Sequence, residues 1–90
     1  MNNKIFLDVR TPQEFKEIHI KGSSNIPLDK LGNYINELAK LDKEIILVCR
    51  SGARACTAQK ILAQNGIANT TVLEGGVMNL NPNKYPLESG

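Results

Sequence analysis

Aromatic residues and cysteine are scarce in this chain of 90 residues, which contains no tryptophan, two phenylalanines, two tyrosines and two cysteines. Since 41% of the residues are hydrophobic, the core has to be built mainly from aliphatic side chains. Two cysteines and one histidine are too few ligands for a structural zinc site, and a disulfide scaffold normally contains more cysteine. We therefore predict neither a metal nor any other cofactor.

Long apolar runs and charge of one sign are also absent. No apolar stretch approaches the roughly 20 residues that a membrane span needs, and no charged segment followed by an apolar one opens the chain as a signal peptide would. Acidic and basic residues nearly balance, with a net charge of +2, which argues against a nucleic-acid-binding surface. We expect one domain over 1–90, a monomer with no nucleic-acid or membrane partner. The expected compartment is the cytoplasm, or the periplasm if a leader has been removed.

The spacing of apolar residues predicts alternating strands and helices. Extended segments are predicted at 4–9, 23–26, 44–48 and 71–73, and helices at 12–18, 29–40, 53–65 and 75–80. Thr11-Pro12-Gln13-Glu14 forms a capping box at the beginning of the first helix, and residues 81–90 are predicted to be a loose tail. This alternation indicates an α/β fold, an open parallel sheet of four to five short strands flanked by helices.

Two of the three arginines lie close together in the segment Cys49-Arg50-Ser51-Gly52-Ala53-Arg54. The segment joins a buried strand to a helix, at the carboxyl edge of the sheet where ligands bind in such folds. The helix N-terminus and the arginines favour negative charge on the sulfur, and Gly52 permits a tight loop whose N–H groups point at one anion. Cys49 is therefore predicted to be a nucleophile in an anion-binding loop. The alternative is a small hydrophobic residue that packs at the end of a strand.

Several other segments accompany this loop in a recognisable order and spacing. They are Leu7-Asp8-Val9-Arg10, Glu14-Phe15, His19-Ile20 with Gly22, Asn25-Ile26-Pro27, and Leu73 with Gly75-Gly76. Together with the loop, they resemble the single-domain rhodanese family of sulfurtransferases, and the small size resembles its phage-shock-type bacterial members.

The resemblance implies a reaction by covalent catalysis. Cys49 would attack the outer sulfur of thiosulfate, releasing sulfite, or would take the sulfur of another persulfide donor. Its persulfide would then pass the sulfur to cyanide or to a thiol acceptor, including a protein thiol. The N–H groups of the loop would hold the substrate anion; the residues concerned are Arg50, Ser51, Gly52, Ala53 and Arg54. Two other interpretations stay open. One is a non-catalytic or regulatory binding module, and the other is a phosphatase or arsenate reductase of related fold, whose loops have one more residue than the Cys-x4-Arg found here.

Four further residues have structural and functional interpretations. The resemblance implies that Arg10 forms a salt bridge in a turn; the alternative is a residue at the rim of the active site. It also implies that His19 is a hydrogen-bonded structural imidazole, with a general base as the alternative. Asp8 is predicted to hydrogen-bond to nearby backbone. Cys56 is predicted to pack against the core, with a disulfide to Cys49 as the alternative if their Cα atoms lie within ~7 Å.

Overall fold

A parallel sheet forms the centre of the protein in the computed structural model, which describes residues 3–73, 75–77, 80 and 83–90. In chain order the elements are β1 (Lys4–Asp8), α1 (Pro12–Glu17), β2 (His19–Ile20), β3 (Ser24–Asn25), a 3-10 helix (Leu28–Tyr34), α2 (Ile35–Ala39), β4 (Glu44–Val48), α3 (Ala53–Gln64), β5 (Thr70–Val72) and β6 (Leu87–Glu88). The sheet has the strand order β3-β1-β4-β5, and its neighbouring strands are all parallel. The predicted α/β fold is confirmed, with four strands in the main sheet.

Strand β4 lies between β1 and β5 and is the most deeply buried strand of the sheet. Ile45 and Leu47 are completely inaccessible to solvent, and all residues from 45 to 48 are buried. Helices and loops cover both faces of a central parallel strand, which is why its sequence is a continuous apolar run. Leu7 of β1 and Leu62 of α3 pack in the same core. This packing fixes the carboxyl end of β4, where Cys49 follows.

The capping box predicted at the beginning of α1 is confirmed. The Thr11 side chain accepts a hydrogen bond from the Glu14 N–H, the Glu14 carboxylate accepts one from the Thr11 N–H, and Pro12 occupies the first helical position. No helix in the described part of the chain is long and apolar enough to cross a membrane.

The single helix predicted at 29–40 is instead divided into the 3-10 helix and the short α2. Gly32 and Asn33 lie in its first half, and both have low intrinsic helix propensity. The predicted apolar face is nevertheless retained, because Leu31 and Leu38 are both buried.

The prediction of a loose tail over 81–90 is wrong for its last residues. Leu87–Glu88 forms β6, which pairs antiparallel with β2 so that His19 lies opposite Glu88. The Gly90 N–H also donates to the Lys16 carbonyl at 2.7 Å. Two-residue strands carry too little local pattern to be identified from sequence. The helix predicted at 75–80 includes residues 78 and 79, which lie outside the described residues.

Candidate active site

The chain passes from β4 to α3 through a tight turn that begins with Cys49. Gly52 precedes the helix with a φ of +107°, a conformation that residues with a Cβ rarely adopt. Its N–H donates to the Sγ of Cys49 at 2.8 Å. The loop therefore folds back on the sulfur, as the sequence predicts.

The beginning of α3 adds to the positive potential around Cys49. The first hydrogen bond along the helix runs from the Cys56 N–H to the Gly52 carbonyl, so the N–H groups of the preceding turn have no acceptor within the helix. Their dipoles favour an anion at this end of α3. Cys49 is only 1% exposed, which agrees both with a packed residue and with a nucleophile beneath a loop. The hydrogen bond from Gly52 favours the second interpretation, because it stabilises negative charge on the sulfur.

A second turn, residues 75–77, closes over the backbone of the loop. The Val77 N–H donates to the Cys49 carbonyl at 2.9 Å. Gly76 has a φ of +59°, and a Cβ at this position would overlap the carbonyl oxygens of Cys49 and Arg50. The glycine is therefore required both by its backbone angle and by the close approach of the loop.

Arg54 forms a two-pronged ion pair with Glu14 of α1. Its Nη1 and Nη2 lie 2.7 and 2.9 Å from the two carboxylate oxygens. These hydrogen bonds lower the pKa of Glu14 to about 2. They also raise the pKa of Arg54, and the charge of nearby Cys49 acts in the same direction. The Arg54 side chain is thus held beside the thiol by a carboxylate, while its backbone N–H lies in the first turn of α3.

An open pocket of about 220 Å³ lies next to the loop and is lined by Arg10, Glu14, Glu17, Ile18, Arg50 and Val77. Arg50 is exposed, and its guanidinium contacts no carboxylate among the described residues. Of the two loop arginines, Arg50 is therefore the one whose charge is available to a ligand. The side chains of Ser51 and Ala53 are exposed as well.

The salt bridge predicted for Arg10 is confirmed, although it is buried. The guanidinium contacts both carboxylate oxygens of Asp8, at 2.9 Å from Nε and 2.8 Å from Nη2. Asp8 also accepts a hydrogen bond from the Arg10 N–H, as predicted for a carboxylate at a strand end. Arg10 Nη2 donates further to the Ile18 carbonyl at 2.6 Å. The pair therefore fixes the wall of the pocket to the end of β1.

His19 has the structural role that the sequence predicts. Its Nδ1 lies 2.6 Å from the Phe15 carbonyl, its Nε2 lies 3.0 Å from a Glu88 carboxylate oxygen, and its ring stacks on Phe15 at 3.8 Å. Both ring nitrogens are occupied by these partners, so His19 does not serve the thiol as a base.

The prediction that Cys56 packs in the core is wrong, because its side chain is exposed on α3. The preceding residue, Ala55, is completely buried, and consecutive helical residues point in directions about 100° apart. Cys49 and Cys56 are both free thiols. The described residues contain no group of three or more side chains that could hold a metal ion.

Two contributors to this site have no local signal in the sequence. Glu14 is identified only as a capping residue, and nothing local predicts that its carboxylate also binds Arg54. The contact of Val77 with Cys49 has no side-chain signal because it uses backbone atoms; the neighbouring pair Gly75-Gly76 is the available hint.

A family model for the rhodanese-like domain matches residues 1–81. The chain belongs to the rhodanese-like family. Relatives include an uncharacterised Bacillus subtilis protein, YqhL, which is 40% identical over 70 residues that cover 78% of this chain and 55% of YqhL. The thiosulfate sulfurtransferase GlpE of Pseudomonas syringae is 32% identical over 85 residues, which cover 94% of this chain and 78% of GlpE. This rhodanese-like chain is thus a member of a sulfurtransferase family.

Solved structures share the fold over nearly the whole chain. A rhodanese-related protein from Thermoplasma volcanium has a TM-score of 0.83 and 31% identity, covering 98% of this chain and 86% of that one. A structure of a rhodanese with anions from E. coli has a TM-score of 0.79 and 25% identity, with coverage of 97% and 99%. A Rhodopseudomonas palustris protein described as a possible tyrosine phosphatase has a TM-score of 0.85, covering 96% of this chain and 71% of that one; at 23% identity it is similar in fold alone.

Proposed function

We propose that this rhodanese-like protein transfers the outer sulfur of thiosulfate to cyanide or to a thiol through a persulfide on Cys49. The observation that carries the proposal is the hydrogen bond from the Gly52 N–H to the Cys49 sulfur at the N-terminus of α3. A donor on the sulfur favours the thiolate, which is the nucleophilic form of cysteine.

In the first half-reaction the Cys49 thiolate attacks the outer sulfur of thiosulfate. A new S–S bond forms, the bond between the two thiosulfate sulfurs breaks, and sulfite leaves with that electron pair. The outer sulfur of the resulting persulfide extends ~2 Å beyond Sγ, away from the buried position of Cys49 and toward the N–H groups of the loop.

The loop residues have different roles in this proposal. The backbone N–H groups from Arg50 to Arg54 stabilise the persulfide and the departing anion. The exposed guanidinium of Arg50 attracts thiosulfate, since no described carboxylate neutralises it. The guanidinium of Arg54 is held by Glu14 and acts on Cys49 through its field.

The relatives support this chemistry. GlpE is named a thiosulfate sulfurtransferase, a related yeast protein is named a thiosulfate:glutathione sulfurtransferase, and the E. coli rhodanese was solved with anions. Sulfur donors such as thiosulfate are anions, and the N-terminus of α3 beside Cys49 favours an anion.

Mass spectrometry of the intact protein after exposure to thiosulfate tests the proposal. We expect an adduct of one sulfur atom that peptide mapping locates on Cys49, and that cyanide then removes with formation of thiocyanate. If Cys49 is reactive but no sulfur adduct forms, the result would instead support a non-catalytic binding module.

A further inference from the structure

Among the described residues, four charged side chains line the pocket next to the Cys49–Arg54 loop, and two of them are neutralised within the protein. Arg10 is paired with Asp8, and Glu14 is paired with Arg54. Glu17 and Arg50 line the same pocket, both are exposed, and neither contacts an oppositely charged side chain in the described part of the chain. The pocket therefore presents one free carboxylate and one free guanidinium to a ligand.

These two charges suit the two substrates of a ping-pong reaction differently. Arg50 attracts the anionic sulfur donor, whereas Glu17 repels it and does not assist the first half-reaction. A carboxylate at this position would assist the second half-reaction if the acceptor carries a positive group. The pocket, at about 220 Å³, is also smaller than the roughly 300 Å³ at which sites for drug-sized ligands begin, which favours a small acceptor.

Resting on the proposed function, we propose that Glu17 determines acceptor specificity by selecting low-molecular-weight thiols that carry an ammonium group. The acceptor thiolate attacks the outer sulfur of the Cys49 persulfide, a new S–S bond forms, and the electron pair of the broken S–S bond returns to Cys49 as thiolate. Glu17 holds the ammonium group during this step, and a carboxylate on the same thiol, where there is one, reaches Arg50.

The test compares acceptors of different charge in the second half-reaction. Persulfidated protein is mixed with cationic cysteamine, neutral 2-mercaptoethanol or anionic 3-mercaptopropionate, and the rate at which the persulfide is lost is measured. Low ionic strength is used because exposed charges are then least screened. The proteins are the wild type, Glu17→Gln, Glu17→Lys, and Glu37→Lys as a control, since Glu37 is an exposed acid on α2 that does not line the pocket. Each thiol is compared with itself across proteins, so its intrinsic reactivity cancels.

We expect Glu17→Gln to lower the rate constant with cysteamine about threefold, as for the loss of one exposed ion pair, and to leave 2-mercaptoethanol unchanged. Glu17→Lys should change the ratio of the rate constant with cysteamine to the rate constant with 3-mercaptopropionate by about tenfold, in favour of the anionic thiol. Persulfide formation from thiosulfate should be faster than in the wild type in both variants, because the repulsion by Glu17 is removed, and a merely structural effect of the substitution would not produce this increase.

The outcomes separate this inference from the proposed function. An unchanged ratio in Glu17→Lys, or the same change in Glu37→Lys, overturns the role of Glu17 while the persulfide chemistry stands. Selection of a protein thiol over all three small thiols also overturns it. Because polysulfide can load Cys49 without thiosulfate, acceptor choice is measured even if thiosulfate is not the donor. Failure to form a persulfide by either route overturns both.

Discussion

Arg54 and Glu14 connect the first turn of α3 to the first turn of α1 through two hydrogen bonds of 2.7 and 2.9 Å. The same carboxylate closes the capping box with Thr11. One side chain thus fixes the beginning of a helix and also holds a cation beside Cys49. The Arg54 guanidinium is therefore occupied within the protein, and we expect Arg50 to be the arginine that meets an anionic substrate.

Because of this ion pair, we expect the free energy of unfolding to depend on pH. Glu14→Gln keeps the cap, since glutamine also serves in a capping box, but removes the charge that faces Arg54. We expect the free energy of unfolding near neutral pH to fall by about 1 kcal/mol, a small value because the Arg54 side chain is 35% exposed. The pKa of Glu14 is lowered from 4.5 to about 2 on folding. The advantage of the wild type should thus be complete above about pH 4.5 and be lost as the pH falls toward 2.

Urea unfolding of the two proteins across this pH range measures the difference. Glu17→Gln, on the same helix but without an ion pair, is the control and should differ little from the wild type at any pH. A deficit of Glu14→Gln that persists unchanged at low pH would contradict the ion pair as its cause.

We expect substitution of the two cysteines to have opposite effects on sulfur transfer. Cys49→Ser should reduce thiocyanate formation from thiosulfate and cyanide to background, because the alcohol cannot form a persulfide. Cys56→Ser should retain nearly full activity, because its side chain is exposed on α3 and is not bonded to Cys49. Steady-state assays together with peptide mapping of the sulfur adduct check both statements. Comparable losses in the two variants would mean that the thiols act together.

The parts of the fold that sequence predicts correctly have local signals. Strand β4 is a continuous apolar run, and the box from Thr11 to Glu14 marks the beginning of α1. The loop after β4 combines a cysteine, a glycine and two arginines within six residues. Each of these signals lies within the element that it predicts, which is why the sheet and the tight turn after β4 can be inferred without coordinates.

The parts that sequence does not predict depend on contacts between distant residues. Glu14 is 40 residues from Arg54, and Glu88 is 69 residues from His19. No periodicity connects such partners, so the second role of Glu14 and the strand β6 are not foreseen. The error at Cys56 has another cause. Small residues occupy both the buried and the exposed side of α3, so a cysteine there gives little indication of the side on which it lies.

Gly76 predicts a test of the contact between the two turns of the site. Gly76→Ala adds strain at a φ of +59° and also a clash with the backbone of Cys49 and Arg50. We expect a loss of about 2–5 kcal/mol in the free energy of unfolding, together with a large loss of sulfur transfer by the folded fraction. Gly22→Ala is the matched control, because it has a φ of +85° and open space around its Cβ. It should cost about 1–2 kcal/mol and retain activity. Equal effects in the two variants would show that the contact with the loop is unimportant.

Glu88 predicts that the end of the chain stabilises the fold. Glu88→Ala removes the carboxylate that faces the Nε2 of His19, an imidazole that is only 4% exposed. We expect the free energy of unfolding to fall by about 1 kcal/mol, with the rate of persulfide formation unchanged, since His19 takes no part in the reaction. Glu88→Gln keeps an acceptor and should recover part of the stability. Full stability of Glu88→Ala in urea would mean that the contact between Glu88 and His19 contributes nothing to the stability of the folded state.

We expect the length of the loop to decide between sulfur and phosphate chemistry. The Gly52 N–H lies 2.8 Å from the Cys49 sulfur, and we expect the six residues from Cys49 to Arg54 to form a small ring of donors that suits a single sulfur atom on the thiol. A transferred phosphoryl group spreads its charge over three oxygens and needs donors around a wider circle. Both substrates are anions that Arg50 would attract, and ring size rather than charge should therefore select between them.

We expect thiosulfate turnover and negligible hydrolysis of p-nitrophenyl phosphate by the native protein. Insertion of one glycine between Ser51 and Gly52 should lower thiosulfate turnover sharply, because it moves the Gly52 N–H away from the sulfur, and should allow phosphate-like anions to inhibit alkylation of Cys49. The same insertion between Asn65 and Gly66, at the far end of α3, is the control for damage to folding and should leave turnover intact. A native protein that hydrolyses the aryl phosphate readily and accumulates no persulfide would overturn both the ring-size argument and the proposed sulfur transfer.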